Sequence, residues 1–381
     1  MMPCSIPEAS IPHGQGLPSW FRFKRIAIVG AGAVGSFLGG LLQHKLSQYA
    51  EATPEHEAHK ADAQATLPKL TLVARGPHGH HMATEGLTIT GTMQGLPLPL
   101  HTKVHVVHTM AELPPQDLIF ITVKGYALQQ VAEALAPLCH AGTVIVPVMN
   151  GLSYWYLHGK SLKTHEGQPL QHVLGVDDTG AIAHQLPPSQ TLGAVIHVPA
   201  EVTKPGNVHV LNDARLFLGE ADVRLGVSLR LQAVADLFEG TGLYVKALND
   251  IRQEVWRKIL INLSLAPTSV LTEATYGEML RVPELAEWLH ELGCEAKAIG
   301  FAAGEDIHML DVTEIHARVL ETIADHKSSM LQDALQRKPL EVGNIVASVA
   351  ALGTQLGVPC PTLKRTLAML SVLMQSRLTR G

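Results

Sequence analysis

Residues 30–35, Gly30-Ala31-Gly32-Ala33-Val34-Gly35, space three glycines as GxGxxG. Between a strand and a helix, such a loop brings backbone close to a pyrophosphate. The first glycine permits the tight turn, the second clears the anion's path, and the third lets the helix lie close on the strand. The N–H groups opening the helix then face the anion. The flanks fit: residues 25–29 (RIAIV) are a short apolar run, and residues 34–46 place Phe37, Leu38, Leu41 and Leu42 on one helical face. An NAD site carries an acid at the end of the second strand. Here the run at 70–74 is followed by Arg75-Gly76, and a guanidinium suits a 2′-phosphate, which it can grip bidentately. NADPH is therefore the expected cofactor, held by Gly30, Gly32, Ala33, Val34, Gly35 and Arg75.

Lys124 and Asn150 each follow a short apolar run, 118–123 and 143–148. The C-terminal ends of parallel strands are where ligands bind in open α/β sheets. Lys258 stands among Val255, Ile259, Leu260, Ile261 and Leu263, and Asn262 lies four residues on, hence on the same helical face. An ammonium in such a setting is either a surface lysine whose stem covers apolar neighbours or a partly desolvated acid. His78, His80 and His81 are the one histidine cluster. No acid or cysteine joins them at ligand spacing, so they read as a loop or helix start and no metal is expected.

The elements that position these residues alternate. Strands at 25–29, 70–74, 118–123 and 143–148, with helices at 34–46 and 128–138, describe a parallel sheet with crossovers. Residues 47–67 are polar and alanine-rich, a surface excursion of the first helix. Short β-rich runs at 194–198, 208–211 and 216–218, punctuated by Pro205-Gly206, predict an antiparallel extension of the sheet. A helix over 225–238 and a strand over 243–247 close the first domain, and from Asp250 nearly everything reads as helix. The expected fold is α/β: an N-terminal Rossmann-type doubly wound parallel sheet with an antiparallel extension over 22–248, plus an all-helical C-terminal domain over 249–381. Residues 1–21 are expected to be a disordered tail.

Composition narrows the function. A length of 381 residues with 46% hydrophobic residues supports two domains with a sizeable core. Net charge −5 and 4% aromatics argue against nucleic acid as a partner. No stretch approaches the 18 or more apolar residues of a membrane span, and the first 20 residues contain neither Lys nor Arg, unlike a secretory or transit signal. Four dispersed cysteines, Cys4, Cys139, Cys294 and Cys360, suit a reducing cytoplasm.

The glycine loop, residues 70–76 (LTLVARG), Ile121-Thr122-Val123-Lys124, Asn150-Gly151, Trp256-Arg257-Lys258 with Asn262, and residues 328–333 (SSMLQD) with Glu341 occur in the order seen in the ketopantoate reductase family, which this sequence resembles from about Arg25 onward. The excursion at 47–67 and an extra stretch near 160–190 stand outside the resemblance. It implies a helical domain beside the Rossmann domain, NADPH, and reduction of a small 2-oxo acid at the cleft between them. It further implies Lys258 as general acid; Asn262, Ser329, Glu341 and Asn150 at the substrate; and Lys124 and Asn150 near the nicotinamide. Pantoate made from ketopantoate, for coenzyme A biosynthesis, is the leading expectation. A paralogous reductase of another branched 2-oxo acid and a noncatalytic NADPH-binding redox sensor are the alternatives. The family's second asparagine, eight residues after the lysine, is Ala266 here, with Ser264 and Thr268 as candidate replacements. That departure bears on which 2-oxo acid is taken more than on the reaction class. A homodimer stays open, since the C-terminal helices can pack within or between chains.

Overall fold

The computed structural model describes residues 18–52 and 67–380. Five short strands form a parallel sheet: β1 (Arg25–Val29), β2 (Lys69–Val73), β5 (Val106–Val107), β6 (Leu118–Ile121) and β7 (Val144–Pro147), in the order β5-β2-β1-β6-β7. The crossovers are α1 (Ala33–Glu51), α2 (Gly76–Thr84) and α3 (Leu128–Leu135). In register, Val29 lies beside both Val73 and Ile121, so β1, β2 and β6 end level with one another. Strand order reverses at β1, the position where such sheets open a ligand crevice.

The central strands are apolar on both faces because both faces are covered. Ile26 and Ile28 enter one core, whereas Ala27 and Val29 enter another, and all four are buried. Each buried isoleucine contributes about 1.5–3 kcal/mol. The core under Ala27 and Val29 continues through Trp155 and Tyr156 into Trp256, Ile259 and Leu260 of the helical region. The two regions therefore share one apolar cluster.

The extension differs in detail from the expectation. β8 (Leu192–His197) pairs antiparallel with β11 (Arg215–Glu220), which pairs parallel with β12 (Tyr244–Leu248). Isolated parallel bridges, Ile145 with Thr191 and Val148 with Ala194, set β8 beside β7. The run at 208–211 belongs elsewhere. Strands β9 (Ala200–Lys204) and β10 (Asn207–Val210) join β3 (Leu87–Gly91) and β4 (Leu100–Thr102) in a separate sheet. The predicted helix over 225–238 starts later, as α5 (Leu229–Asp236), because Gly226 takes φ +54° and Ser228 caps the first turn.

Two further expectations are corrected at their edges. α1 runs on through 47–51, so the excursion cannot begin at 47; residues 53–66 lie outside the described residues. A helical turn at Ser19–Arg22 buries Trp20 and Phe21, so the packed chain starts before residue 22. Residues 1–17 lie outside the described residues.

β12 ends at Leu248 and α6 (Arg252–Thr272) begins a few residues later. Around α6 pack α7 (Tyr276–Leu280), α8 (Pro283–Ala302), α9 (Val312–Thr322), α10 (Ser329–Leu335) and α12 (Pro361–Arg380), while α11 (Ser348–Gln355) packs on α8. One π-helical turn, Gly343–Ala347, leads into α11. Such turns recur at functional sites.

Candidate active site

The glycine loop is pinned by its neighbours. Gly30 takes φ +95°, and the N–H groups of Gly30 and Ala31 donate to the Val73 carbonyl at 3.2 and 3.1 Å. A Cβ at Gly35 would lie 2.4 Å from the Thr122 Oγ1 and 2.7 Å from the Gly30 carbonyl, so only glycine lets α1 start here. At Gly32 the same direction is open, with its nearest atom at 3.9 Å. The first-turn N–H groups of α1 have no partner within the helix. A loop with an open face, ending in free N–H donors, fits a pyrophosphate.

Arg75 lies two residues past the end of β2, at the same edge as the loop. It is exposed, and among the described residues its guanidinium has no ion-pair partner. His80 stacks on His108 at 4.4 Å beside it, each ring held to a backbone carbonyl at 2.9 Å. His78 has a different task. Its Nδ1 accepts from the Gly206 N–H at 2.9 Å, which leaves its Nε2 proton for the Ser36 hydroxyl at 2.9 Å. His78 and His80 are thus both taken up by local stacking and hydrogen bonds.

Across the sheet end, Lys124 follows β6. Its Nζ reaches the Glu341 carboxylate at 2.9 Å and the Asp333 carboxylate at 2.8 Å. The Gly125 N–H also donates to Glu341, at 3.2 Å. Burial alone would lower the Lys124 pKa, but the two carboxylates outweigh it and raise the pKa above the usual lysine value. Asp333 completes this ion cluster although its residue type alone gave no reason to single it out. The signal available was its place at the end of residues 328–333. Asn150-Gly151 packs here too. Gly151 takes φ +77°, and a Cβ on it would meet the Asn344 carbonyl at 2.0 Å. Asn344 is buried in the π-turn and donates to the Leu152 carbonyl at 3.3 Å. A cleft of about 210 Å³ opens between these elements, walled by Tyr126, Gln129, Val176, Leu340, Glu341 and Asn344. Val176 belongs to the extra stretch near 160–190, which therefore forms part of the wall.

Lys258 approaches from α6. Its Nζ donates to the backbone carbonyl of Ile196 in β8. Burial pulls its pKa down to about 8, against the upward pull of the Glu341 and Glu254 carboxylates. Asn262 lies one turn on and is half-buried. Lys258, Lys124 and Glu341 are thus brought into one electrostatic neighbourhood. Ser329 is exposed at the first turn of α10, and its neighbour Ser328 is the buried cap, accepting from the Leu331 N–H at 3.0 Å. The two candidate replacements for the missing asparagine differ: the Ser264 hydroxyl is engaged, whereas the buried Thr268 hydroxyl has no hydrogen-bond partner among the described residues. Ser264 donates to the Leu260 carbonyl at 2.6 Å and meets His316 at 3.1 Å, while Thr268, one turn on along that face, is buried. Ala266 is itself buried in the shared apolar cluster.

Residues 26–222 match the family model described as ketopantoate reductase PanE/ApbA, and residues 250–374 match its C-terminal counterpart. The chain belongs to the ketopantoate reductase family. As a ketopantoate reductase family member it is an oxidoreductase of the 2-dehydropantoate 2-reductase kind. It is 29% identical to a 2-dehydropantoate 2-reductase of Mesorhizobium japonicum over 355 residues, 93% of this chain and 98% of the relative. A solved structure from Ralstonia solanacearum, provisionally named a ketopantoate reductase, superposes with TM-score 0.75 at 34% identity, covering 93% of this chain and 98% of that one. The structure of D-mandelate dehydrogenase with NADH and anilino(oxo)acetate shares the fold, with TM-score 0.71 at 20% identity over 93% of this chain and 99% of that one.

Proposed function

We propose that this protein is an NADPH-dependent reductase of small 2-oxo acids that converts ketopantoate to pantoate, a step toward coenzyme A. The observation that carries the reading is the Lys258 ammonium on α6, held to the Ile196 carbonyl at the end of β8 and within the field of Glu341, whose carboxylate walls the cleft. NADPH, when bound, supplies the hydride. The chain does the rest. The glycine loop and the first turn of α1 hold the pyrophosphate, and Arg75 takes the 2′-phosphate. Lys258 gives its proton to the carbonyl oxygen as that oxygen gains charge, which a lysine near its pKa at working pH does efficiently. Glu341 accepts from the substrate hydroxyl, with Asn262, Ser329 and Asn150 lining the substrate's approach. Lys124 stays a cation, neutralises the two carboxylates and faces the nicotinamide end.

Ala266 supports a second reading within the same chemistry, reduction of another branched 2-oxo acid. The family's polar partner is missing there, and the Ser264 hydroxyl is already engaged by Leu260 and His316. NADPH oxidation assayed with ketopantoate and a panel of 2-oxo acids tests both. Turnover of ketopantoate at the highest kcat/KM supports the first reading, a better panel member supports the second, and no turnover of any would sink both. Arg75→Ala tests the cofactor. Losing a charge-assisted phosphate contact worth about 1.5–3 kcal/mol should weaken NADPH binding by roughly 10- to 150-fold and leave NADH binding nearly unchanged. Equal losses for the two would show that Arg75 does not read the phosphate.

A further inference from the structure

Lys258 sits in a bracket that the reaction itself does not require. The bracket joins the end of β8 to the first turns of α6. Ile196 supplies the carbonyl that accepts from the Lys258 ammonium. The next residue, His197, meets Glu254 at 3.2 Å between Nε2 and Oε1. Glu254 lies four residues before Lys258, one turn away on the same face of α6. Its other oxygen, Oε2, accepts from Arg257 at 3.1 Å. His197 is itself seated edge-on against Phe217 of β11, ring centroids 5.9 Å apart. Two links thus run in parallel from adjacent residues of one strand to adjacent turns of one helix. Neither holds unless strand and helix are in register.

We propose that His197 and Glu254 are positioning residues: the pair locks β8 against α6 so that the Ile196 carbonyl aims the Lys258 ammonium, with the Glu254 carboxylate one helical turn from it. The proposal rests on the reading of Lys258 as the proton donor. Several groups bear on Lys258 and on the pair. Glu254 shares its helix and Glu341 faces it from the segment before the π-turn; both carboxylates raise its pKa. Arg257 and His197 bind Glu254, and Arg215 of β11 acts on His197. Burial alone would raise Glu254, but His197 and Arg257 outweigh it and keep the carboxylate ionised. Burial, with Lys258 and Arg215 adding to it, keeps His197 below its ordinary value despite Glu254. The link is therefore a neutral imidazole N–H to a carboxylate, and Glu254 stays ionised with Arg257 as its paired cation.

The test uses three variants of the full chain: Glu254→Gln, His197→Leu and His197→Gln. Retained thermal unfolding midpoints establish folding. The Lys258 pKa is read in the free protein from the pH dependence of amine acylation, quantified on the Lys258 peptide, which needs no substrate. The basic limb of kcat is read with the best 2-oxo acid found. Glu254→Gln should lower the labelling pKa and move the limb to lower pH by about half a unit or more, with KM for NADPH unchanged. His197→Leu should reduce kcat several-fold at constant NADPH KM, and His197→Gln, which keeps an N–H donor for Glu254, should recover most of it. A Glu254→Gln limb and labelling pKa at the wild-type position would overturn the proposal, as would His197→Gln being as impaired as His197→Leu. A shifted labelling pKa in a protein that reduces no 2-oxo acid would remove the proposed function while leaving the bracket's effect on Lys258 intact.

Discussion

Lys124 follows β6 and lies beside the cleft with two carboxylates in contact, Asp333 at 2.8 Å and Glu341 at 2.9 Å. Lys258 reaches from α6 to a backbone carbonyl as its acceptor and, among the described residues, has no carboxylate in contact. Both are taken partly out of water, which by itself disfavours the charged form of each. The outcome is opposite. Lys124 is raised above the usual lysine value, whereas Lys258 falls to about 8. Contact with anions decides which effect wins. One corner of the cleft thus keeps a permanent cation, suited to holding charge, and the other keeps a cation able to release its proton near neutrality. A direct ion pair at Lys258 would have spoiled it as an acid.

The largest expected effect breaks the comparison at Lys258. Lys258→Ala should lower kcat by roughly 10²- to 10⁴-fold, the usual worth of a positioned proton donor, with NADPH binding little changed. Stopped-flow turnover and cofactor titration measure the two. Near-normal kcat would move the role of acid to Lys124, against the tuning just described. Next is Glu341→Ala, which removes a group both corners share. Substrate KM should rise by about tenfold or more, with a smaller fall in kcat if the contact is equally strong in ground and transition states.

Much of this division was legible in the residues. The glycine loop, the lack of a strand-end acid before Arg75, and an ammonium among Val255, Ile259 and Leu260 are local patterns, and local patterns survive in sequence. What was not legible depends on chain segments far apart. β10 pairs with β3 across more than a hundred residues, so a run at 208–211 could not announce its partner sheet. Asp333 looks like any helical acid until Lys124, from the other domain, lies against it. The His197–Glu254 link has the same character, joining a strand end to a helix 57 residues later. Ser329 shows the converse. Two adjacent serines are equivalent as letters, and only the helix start makes Ser328 the buried cap and leaves Ser329 outside.

A stability measurement sharpens the Lys124 side. Lys124→Met would leave Glu341 and Asp333, both largely buried, without their cation. Because Lys124 itself keeps about a third of its side chain in water, the loss should be modest, about 1–3 kcal/mol by urea unfolding at neutral pH. In a background carrying Glu341→Gln and Asp333→Asn the cost of Lys124→Met should shrink, since neutral amides need no cation. A cost that stayed the same in that background would mean lost packing rather than lost charge.

The smallest effect is also the most discriminating, because it separates the two corners. In the wild-type enzyme kcat should fall as pH rises through about 8, where Lys258 loses its proton. Glu341→Gln removes a charge that raises the Lys258 pKa, so the falling limb should move to lower pH. Lys124→Met removes the cation that offsets that same charge. Glu341 then acts on Lys258 less opposed, and the limb should hold its place or move up by a few tenths of a unit. The two substitutions break one ion pair from its two ends, yet only Glu341→Gln lowers the limb if Lys258 is what titrates. Were Lys124 the titrating acid, Lys124→Met would abolish the limb instead of holding or raising it. Paired pH–rate profiles of the two variants, on one substrate and at saturating NADPH, distinguish these outcomes directly.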